Sequence, residues 1–375
     1  MGTARLTKNP YVNREIVKPP VFTSATFHRS IPGFVPTPLR EAETAAARLG
    51  VRSVWVKDES TRLGMPAFKI LGASWATYRA LMKHLGLVEH KKPTLKKLKQ
   101  AVADSGRELA LVAATDGNHG RAVARMAREI GLPCTIFVPQ GTVKSRIKAI
   151  ARNGAEVIMV DGNYDLAIAT SAAMADDKHV VISDTSWEGY TECPGWVIDG
   201  YQTMLKEVID LIDEGLVPEP SVVVAQMGVG AFSSAVASAF AHRPARLLVG
   251  AEPTVADCLI TSIENGGQLT VIEDTPYTEM AGLNCGTPSV VAWETNKAAF
   301  GAFGTVEDAD AEEATRVLHE DWIDAGESGA AGLACLLRWG KELGLREDDD
   351  VLVFVTEGVT DPVNFARIIG PEAVD

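Results

Sequence analysis

A lysine inside an apolar segment is the first residue of this sequence whose type and setting suit covalent chemistry. Lys69 lies between Phe68 and Ile70, at the start of a segment rich in apolar and small residues. Apolar surroundings lower the pKa of a lysine ammonium, and the neutral amine can form a Schiff base with a carbonyl compound. Alone, the lysine fits a surface loop better, so its chemistry depends on what other segments supply.

A polar turn follows the predicted strand Leu109–Ala114 and precedes a predicted helix. The turn has the sequence Asp-Gly-Asn-His-Gly over residues 116–120. A strand, a glycine turn and a helix N-terminus form a common ligand-binding position in α/β sheets. Asn118 offers a donor and an acceptor, and Asp116 offers a carboxylate, although both residue types also cap helices. His119 fits packing or a backbone contact and is assigned no proton transfer.

A glycine-rich loop follows a second predicted strand, Ser221–Gln226. The loop consists of Gly228, Val229, Gly230, Ala231 and Phe232. Small residues allow backbone N–H groups to approach an oxyanion at a helix N-terminus. Ser233 replaces the third glycine of the dinucleotide-binding pattern, and the loop lacks the Gly-Lys-Ser/Thr of nucleotide triphosphate sites. The pattern therefore favours a phosphate site that is not a nicotinamide dinucleotide site.

A hydroxyl group ends the predicted strand Asp350–Thr356 and completes the set. The Thr356 hydroxyl, before Gly358, could bind a ring nitrogen or cap a turn. A candidate Schiff-base lysine, a polar turn, a phosphate loop and a hydroxyl at a strand end suit one ligand. That ligand is an aromatic aldehyde bearing a phosphate, pyridoxal phosphate.

Here the sequence resembles a known family. Residues 68–69, 116–120 and 228–230 resemble the signature segments of the fold type II (tryptophan synthase β-like) pyridoxal-phosphate enzymes. Longer segments are similar to the diaminopropionate ammonia-lyases within that group: residues 184–190, 280–288, 326–330 and 356–362. Thr115 and Asp116 stand where dehydratases of this fold usually have Ser-Ser or Ser-Ala. Phe232 and Pro66 depart from the family pattern.

The resemblance implies a role for each matched residue. Lys69 would bind the cofactor and then act as the base at the substrate Cα. The loop from Gly228 to Phe232 would bind the phosphate, Asn118 the ring hydroxyl and Thr356 the pyridine nitrogen. Phe68 would pack behind the ring, with ordinary core packing as the alternative. The resemblance implies no catalytic metal ion.

Two aspartates distinguish the expected substrate. Asp116 would accept a proton on the face opposite Lys69 and bind a β-ammonium group, and Asp184 is the second candidate for that group. Capping of a turn is the alternative role of Asp184. The implied reaction is β-elimination of 2,3-diaminopropionate to pyruvate and two molecules of ammonia. Lys69 would serve the L isomer and Asp116 the D isomer.

Three alternatives remain at this point. The first is a threonine or serine dehydratase, or another β-elimination or β-replacement enzyme of the same fold. The second is a binding protein that keeps the fold and has lost activity, against which the presence of Lys69 speaks. The third, a nicotinamide dehydrogenase, lacks the required glycine pattern and acidic residue in one βαβ unit.

The composition limits the class of protein. The 375 residues include 36 Lys and Arg against 49 Asp and Glu, a net charge of −13, which argues against a nucleic-acid partner. No apolar stretch approaches the roughly 20 residues that span a bilayer, and the N-terminal residues do not resemble a signal peptide. Five cysteines without C-x-x-C spacing indicate neither a disulfide framework nor a zinc site. We expect a cytoplasmic protein whose substrate is a small amino acid.

The elements that must position these residues alternate between strands and helices. Near-continuous runs of Val, Ile, Leu and Ala predict strands buried on both faces, in mostly parallel twisted sheets flanked by helices. An eight-fold barrel is disfavoured because the repeats are unevenly spaced. We expect a large cofactor-binding domain of residues 1–80 and 190–375 and a smaller α/β domain of residues 81–189. The active site is expected in the cleft between them, and the resemblance implies a homodimer.

Overall fold

The chain forms two compact units in the computed structural model, which describes residues 3–115 and 117–370. The larger unit consists of Met1–Pro20, Pro36–Phe68 and Met204–Asp375, and the smaller unit of Val21–Val35 and Lys69–Thr203. Lys69 is thus the first residue of the second segment of the smaller unit. Among the described residues, no helix combines the length and the apolar character needed to cross a bilayer.

Eleven strands and fourteen α-helices occur in the described residues. The strands are β1 (Leu6–Lys8), β2 (Leu39–Glu41), β3 (Ser53–Asp58), β4 (Ala110–Ala114), β5 (Cys134–Val138), β6 (Glu156–Met159), β7 (His179–Val181), β8 (Val222–Gln226), β9 (Leu247–Pro253), β10 (Ala302–Val306) and β11 (Asp350–Val355). The helices are α1 (Thr23–His28), α2 (Glu43–Leu49), α3 (Lys69–His84), α4 (Leu95–Asp104), α5 (Asn118–Ile130), α6 (Lys144–Ala151), α7 (Tyr164–Ala173), α8 (Glu192–Asp213), α9 (Ala231–Phe240), α10 (Cys258–Glu264), α11 (Val290–Ala299), α12 (Asp308–Glu320), α13 (Glu327–Trp339) and α14 (Pro362–Ile369).

A seven-stranded sheet organises the larger unit, in the order β1-β10-β9-β8-β11-β3-β2. Its five inner strands pair in parallel, and β1 and β2 join the two edges in antiparallel pairs. Every residue of β8 and β11 is buried, as their nearly continuous apolar sequences predict for strands covered on both faces. The carboxyl ends of both strands lead directly into segments with predicted site residues.

A four-stranded parallel sheet, in the order β6-β5-β4-β7, organises the smaller unit. Its register aligns Ala114 with Phe137 and Val112 with Val181, so the chain leaves β4 and β7 at the same edge. The polar turn at 116–120 follows β4, and Asp184 follows β7. The prediction of α/β architecture with mostly parallel sheets is confirmed, and two open sheets replace the barrel alternative.

Candidate functional site

Lys69 and Asp184 form an ion pair within the smaller unit. The Lys69 Nζ lies 2.9 Å from Asp184 Oδ2. Lys69 is the first residue of α3, and its side chain keeps 27% of its exposure, whereas the Asp184 side chain keeps 11%. The lysine is therefore partly removed from water, between the two settings that the sequence left open.

The carboxyl of Asp184 stays ionised down to acidic pH. Burial favours its neutral form, but the nearby His119 and Lys69 outweigh burial and lower the pKa of Asp184 to about 2. At neutral pH the side chain is consequently a fixed negative charge. It can accept hydrogen bonds from a cationic amine and cannot donate a proton.

His119 lies beside the same oxygen of Asp184 that Lys69 contacts. Its Nε2 lies 2.9 Å from the carbonyl oxygen of Ile182, which only accepts, so Nε2 donates to it. Its Nδ1 lies 3.6 Å from Asp184 Oδ2. The backbone contact agrees with the sequence interpretation of His119, but its position beside Asp184 was not predicted.

Tyr201 is a neighbour of Lys69 that sequence reasoning missed. The ring lies in α8 and is fully buried, and burial raises the pKa of its hydroxyl, against the opposing influence of Lys69. Gly72 makes room for it, since a Cβ there would lie 2.5 Å from Tyr201 Cε1. A Cβ on Gly200 would similarly lie 2.5 Å from the Leu71 carbonyl oxygen. Gly72, one turn after the lysine in α3, and Gly200 in α8 thus allow the two helices to approach closely.

The remaining predicted residues of the smaller unit lie at the polar turn. Asn118 is the first residue of α5, and the N-cap is Gly117, so Asn118 does not cap this helix. The Gly117 N–H donates to Thr115 Oγ1 at 2.9 Å. Asp116 lies outside the described residues.

The glycine-rich loop in the larger unit connects β8 to α9. Gly230 adopts φ +94°, a left-handed conformation that favours glycine, and a Cβ there would lie 2.7 Å from Asn296 Nδ2. Asn296 Nδ2 donates to the Gly230 carbonyl oxygen at 2.9 Å, and the Ser289 N–H donates to the Val229 carbonyl oxygen at 2.8 Å. The loop carbonyls are thus held by α11 and the residue before it. The first N–H groups of α9 have no partner within the helix and suit an oxyanion.

Phe232 departs from the family pattern without lying over this loop. Its ring centroid is 5.0 Å from that of Phe68 and 5.2 Å from that of Phe354, and the residue keeps 7% exposure. The side chain therefore fills the core between β11 and the residue before Lys69.

Two cysteines flank the same loop. The Cys258 Sγ lies 3.8 Å from the Gly228 carbonyl oxygen, and a Cβ on Gly228 would lie 3.3 Å from Cys285 Sγ. Neither cysteine forms a disulfide. Small size at Gly228 is therefore required by its neighbours as well as by the loop.

Thr356 lies directly after β11 and is 4% exposed. Its Oγ1 accepts a hydrogen bond from Gln226 Nε2 at 2.8 Å. A buried hydroxyl, a glycine loop at a helix N-terminus and Phe68 are thus gathered in the larger unit, while a partly desolvated amine is held in the smaller unit. These donors fit pyridoxal phosphate: N–H groups for the phosphate, a hydroxyl for the ring and an amine for the aldehyde.

Comparisons with known proteins identify the family. Residues 31–357 match the family model described as "Pyridoxal-phosphate dependent enzyme". The chain is 35% identical over 361 residues to the diaminopropionate ammonia-lyase of Escherichia coli (strain K12), covering 92% of this chain and 89% of that protein.

Solved structures similar to this chain indicate the same family. The crystal structure of the Escherichia coli diaminopropionate ammonia lyase in complex with D-serine matches with a TM-score of 0.88 and 32% identity, covering 98% of this chain and 97% of that one. The structure of that lyase with an aminoacrylate-PLP azomethine reaction intermediate matches with a TM-score of 0.84 and 31% identity, over 98% and 97% of the two chains. The predicted family and cofactor are confirmed: the chain belongs to the pyridoxal-phosphate dependent enzymes and, among them, to the diaminopropionate ammonia-lyases.

Proposed function

We propose that this chain is a carbon–nitrogen lyase that converts 2,3-diaminopropionate to pyruvate and two molecules of ammonia. The observation that carries the proposal is the ionised Asp184 carboxylate, 2.9 Å from Lys69 Nζ. A negative charge beside the catalytic amine suits a substrate with a second ammonium group. The family relatives, which act as diaminopropionate ammonia-lyases, favour this reaction over the dehydratase and inactive-protein alternatives.

The leaving group explains why the charge of Asp184 matters. A β-ammonium departs as neutral ammonia and needs no proton from the enzyme. The hydroxyl of serine or threonine needs a proton to leave well, and a carboxylate that its surroundings favour in the ionised form is a poor source of that proton. The site chemistry therefore favours the diamino acid.

The smaller unit supplies the proton transfers. Bound pyridoxal phosphate supplies an electron-withdrawing system that stabilises negative charge at the substrate Cα. Lys69 Nζ removes the Cα proton of the L isomer, and Asp184 holds the β-ammonium. We assign the Cα proton of the D isomer to Asp116 on the opposite face.

The larger unit supplies cofactor binding. The N–H groups from Gly228 to Phe232 would hold the phosphate, the Thr356 hydroxyl the pyridine nitrogen and Phe68 the back of the ring. Asn118 of the smaller unit would bind the ring hydroxyl. We further propose a cytoplasmic homodimer: the family resemblance supports the dimer, and cysteines that are not joined in disulfides suit a reducing compartment.

A substrate comparison tests this function. The purified holoenzyme is assayed with L- and D-2,3-diaminopropionate, L-serine and L-threonine, and keto acid and ammonia are quantified separately. We expect two ammonia per pyruvate from both diaminopropionate isomers, at a kcat/KM at least tenfold above that for either hydroxy-amino acid. A higher kcat/KM for serine or threonine would overturn the substrate assignment.

A further inference from the structure

The side-chain amide of Gln226 has an orientation that its surroundings determine. Its Nε2 lies 2.9 Å from the Phe354 carbonyl oxygen, 3.1 Å from that of Gly329 and 3.4 Å from that of Ser328. Carbonyl oxygens only accept hydrogen bonds, so the amide nitrogen must face them. Rotating the amide by half a turn would place its oxygen against three other oxygens. Gln226 is 2% exposed, so water cannot relieve such a contact.

The oxygen of the same Gln226 amide is unfavourably placed. Gln226 Oε1 is buried and has no hydrogen-bond partner among the described residues. A buried acceptor without a partner is unfavourable. The glutamine therefore occupies this place at a cost to its own oxygen, and the benefit must come through its nitrogen.

The Gln226 side-chain nitrogen also contacts the Thr356 hydroxyl. Gln226 Nε2 lies 2.8 Å from Thr356 Oγ1. An amide nitrogen cannot accept a hydrogen bond, so the threonine oxygen accepts and the hydroxyl hydrogen must point elsewhere. In the described part of the chain, no acceptor for that hydrogen is found. The hydroxyl is thereby prepared to donate to a ligand.

We propose that Gln226 is a positioning residue that fixes the Thr356 hydroxyl as a hydrogen-bond donor to the pyridine nitrogen of the cofactor. This inference rests on the assignment of Thr356 to that nitrogen in the proposed function. A donor hydroxyl pairs with an unprotonated ring nitrogen and is mismatched to a protonated one. Gln226 thus keeps the bound ring neutral and a moderate electron sink, which is sufficient when a β-substituent leaves.

The test measures the ring nitrogen itself. Holoenzyme is reconstituted with pyridoxal phosphate labelled with ¹⁵N in the ring, and the ¹⁵N chemical shift is recorded without substrate. We expect the shift of an unprotonated, hydrogen-bonded nitrogen that stays constant from pH 6 to 9. A pyridinium shift in the unaltered enzyme at neutral pH would overturn the inference directly, whatever happens to any variant.

Variants then separate Gln226 from its surroundings. Gln226→Met removes the donor at similar volume, and Gln226→Glu replaces it with a group that can accept from Thr356. We expect both to move the ring ¹⁵N shift away from that of the unaltered enzyme. We also expect the cofactor dissociation constant to rise about threefold to tenfold, the usual effect of one lost hydrogen bond. Folded variants with an unchanged shift would refute the proposal.

Asn296→Leu serves as the matched control. It loosens the glycine loop through Gly230, so it should weaken cofactor binding while leaving the ring ¹⁵N shift in place. Thr356→Ser should keep the shift and Thr356→Val should lose it. Because no substrate is present, these outcomes are independent of pyruvate release from diaminopropionate, so the proposed function and this inference can fail separately.

Discussion

This protein contains two groups of paired opposite charges, and they differ in how deeply their side chains are buried. In the larger unit, Arg62 donates to Glu59 at 2.6 and 2.8 Å and to Glu207 at 2.7 and 2.8 Å. Lys57 donates to Glu207 at 2.6 Å and to the Thr37 carbonyl oxygen at 2.7 Å. The side chains of Lys57, Glu59 and Arg62 are fully buried. We call these four charged residues the buried charge cluster.

The Lys69–Asp184 pair in the smaller unit is built differently. It joins one amine to one carboxylate oxygen, and the amine keeps 27% of its exposure. In the buried charge cluster, two cations balance two anions, and the planar guanidinium of Arg62 has partners on several sides. A cluster whose side chains are almost fully buried holds the backbone around it in place. A partly exposed amine can exchange its carboxylate partner for a ligand.

The backbone next to the cluster shows what is held. Leu63 adopts φ +53°, a left-handed conformation that is unfavourable for a branched side chain. It follows Arg62 and precedes the segment that ends at Phe68. The cluster therefore stabilises a strained turn upstream of the lysine, while the pair at Lys69 remains available for chemistry.

The largest expected effect comes from removing the amine. Lys69→Ala should lower kcat for diaminopropionate by at least about 10³-fold, because the residue is both the attachment point and the base. The melting temperature of the cofactor-free protein should also fall, since the buried Asp184 carboxylate loses one of the two groups that keep it ionised. Steady-state assays and thermal unfolding check this. Activity within tenfold of the unaltered enzyme would remove Lys69 from the mechanism.

The next effect tests the buried charge cluster. Arg62→Met leaves Glu59 and Glu207 with less compensation, and breaking a buried ion pair typically costs about 3–5 kcal/mol of unfolding free energy. Urea denaturation of both proteins measures the difference. The matched control is Arg316→Met, which breaks a half-exposed pair with Glu313 at 3.1 Å and should cost less than about 1 kcal/mol. Equal effects of the two substitutions would contradict the contrast drawn between buried and accessible pairs.

The scaffold and the local motifs were predictable from the sequence because their signals are local. The runs at β8 and β11 are apolar apart from one terminal residue each, Gln226 and Asp350, as is typical of strands buried on both faces. The three-residue edge strands β1 and β2 are too short to leave a pattern, and they were not predicted. β10 contains Gly304, a residue type that weakens a strand pattern, at a position where a Cβ would lie 2.8 Å from Cys335 Sγ.

The candidate site residues rest on the same kind of local signal. Lys69, the glycine loop and Thr356 stand in short motifs whose residue types suit the chemistry proposed for them. Tyr201 and the cluster partner Glu207 do not, because their contacts join residues far apart in sequence, 145 positions in the case of Arg62 and Glu207. Such pairs depend on how two elements pack, which no local spacing encodes.

Asp184 provides an intermediate effect with a definite pH dependence. Its pKa is about 2 in the folded protein, below the ordinary value of 3.8, so ionisation stabilises the fold. That contribution, about 2 kcal/mol by linkage, is fully present above pH 4 and is lost as the pH falls towards 2. Asp184→Asn should therefore be less stable than the unaltered protein at pH 7, with the gap closing below pH 4.

The same substitution should also lower kcat/KM for L-diaminopropionate by about 100-fold, in the range usual for losing one charge or proton-transfer partner. Denaturation at several pH values and steady-state assays measure the two effects. A stability gap that persists unchanged at pH 2.5 would show that the ionised form is not favoured by folding. An unchanged kcat/KM would indicate that Asp184 has only a structural role.

Removing the Tyr201 hydroxyl is expected to have the smallest effect. It tests whether the partly exposed Lys69–Asp184 pair depends on a buried neighbour. The Tyr201 hydroxyl influences Lys69 from a fully buried position, with Gly72 leaving room for the ring. Tyr201→Phe keeps the ring and removes only the hydroxyl, so kcat should fall about fivefold, as expected for one modest hydrogen bond. Gly72→Ala is the complementary variant: its Cβ would press on the ring and should lower the melting temperature, which Tyr201→Phe should leave nearly unchanged. If Tyr201→Phe instead lost stability and kept full kcat, the tyrosine would belong with the buried, structural contacts, and the accessible pair at Lys69 would work without a third partner from α8.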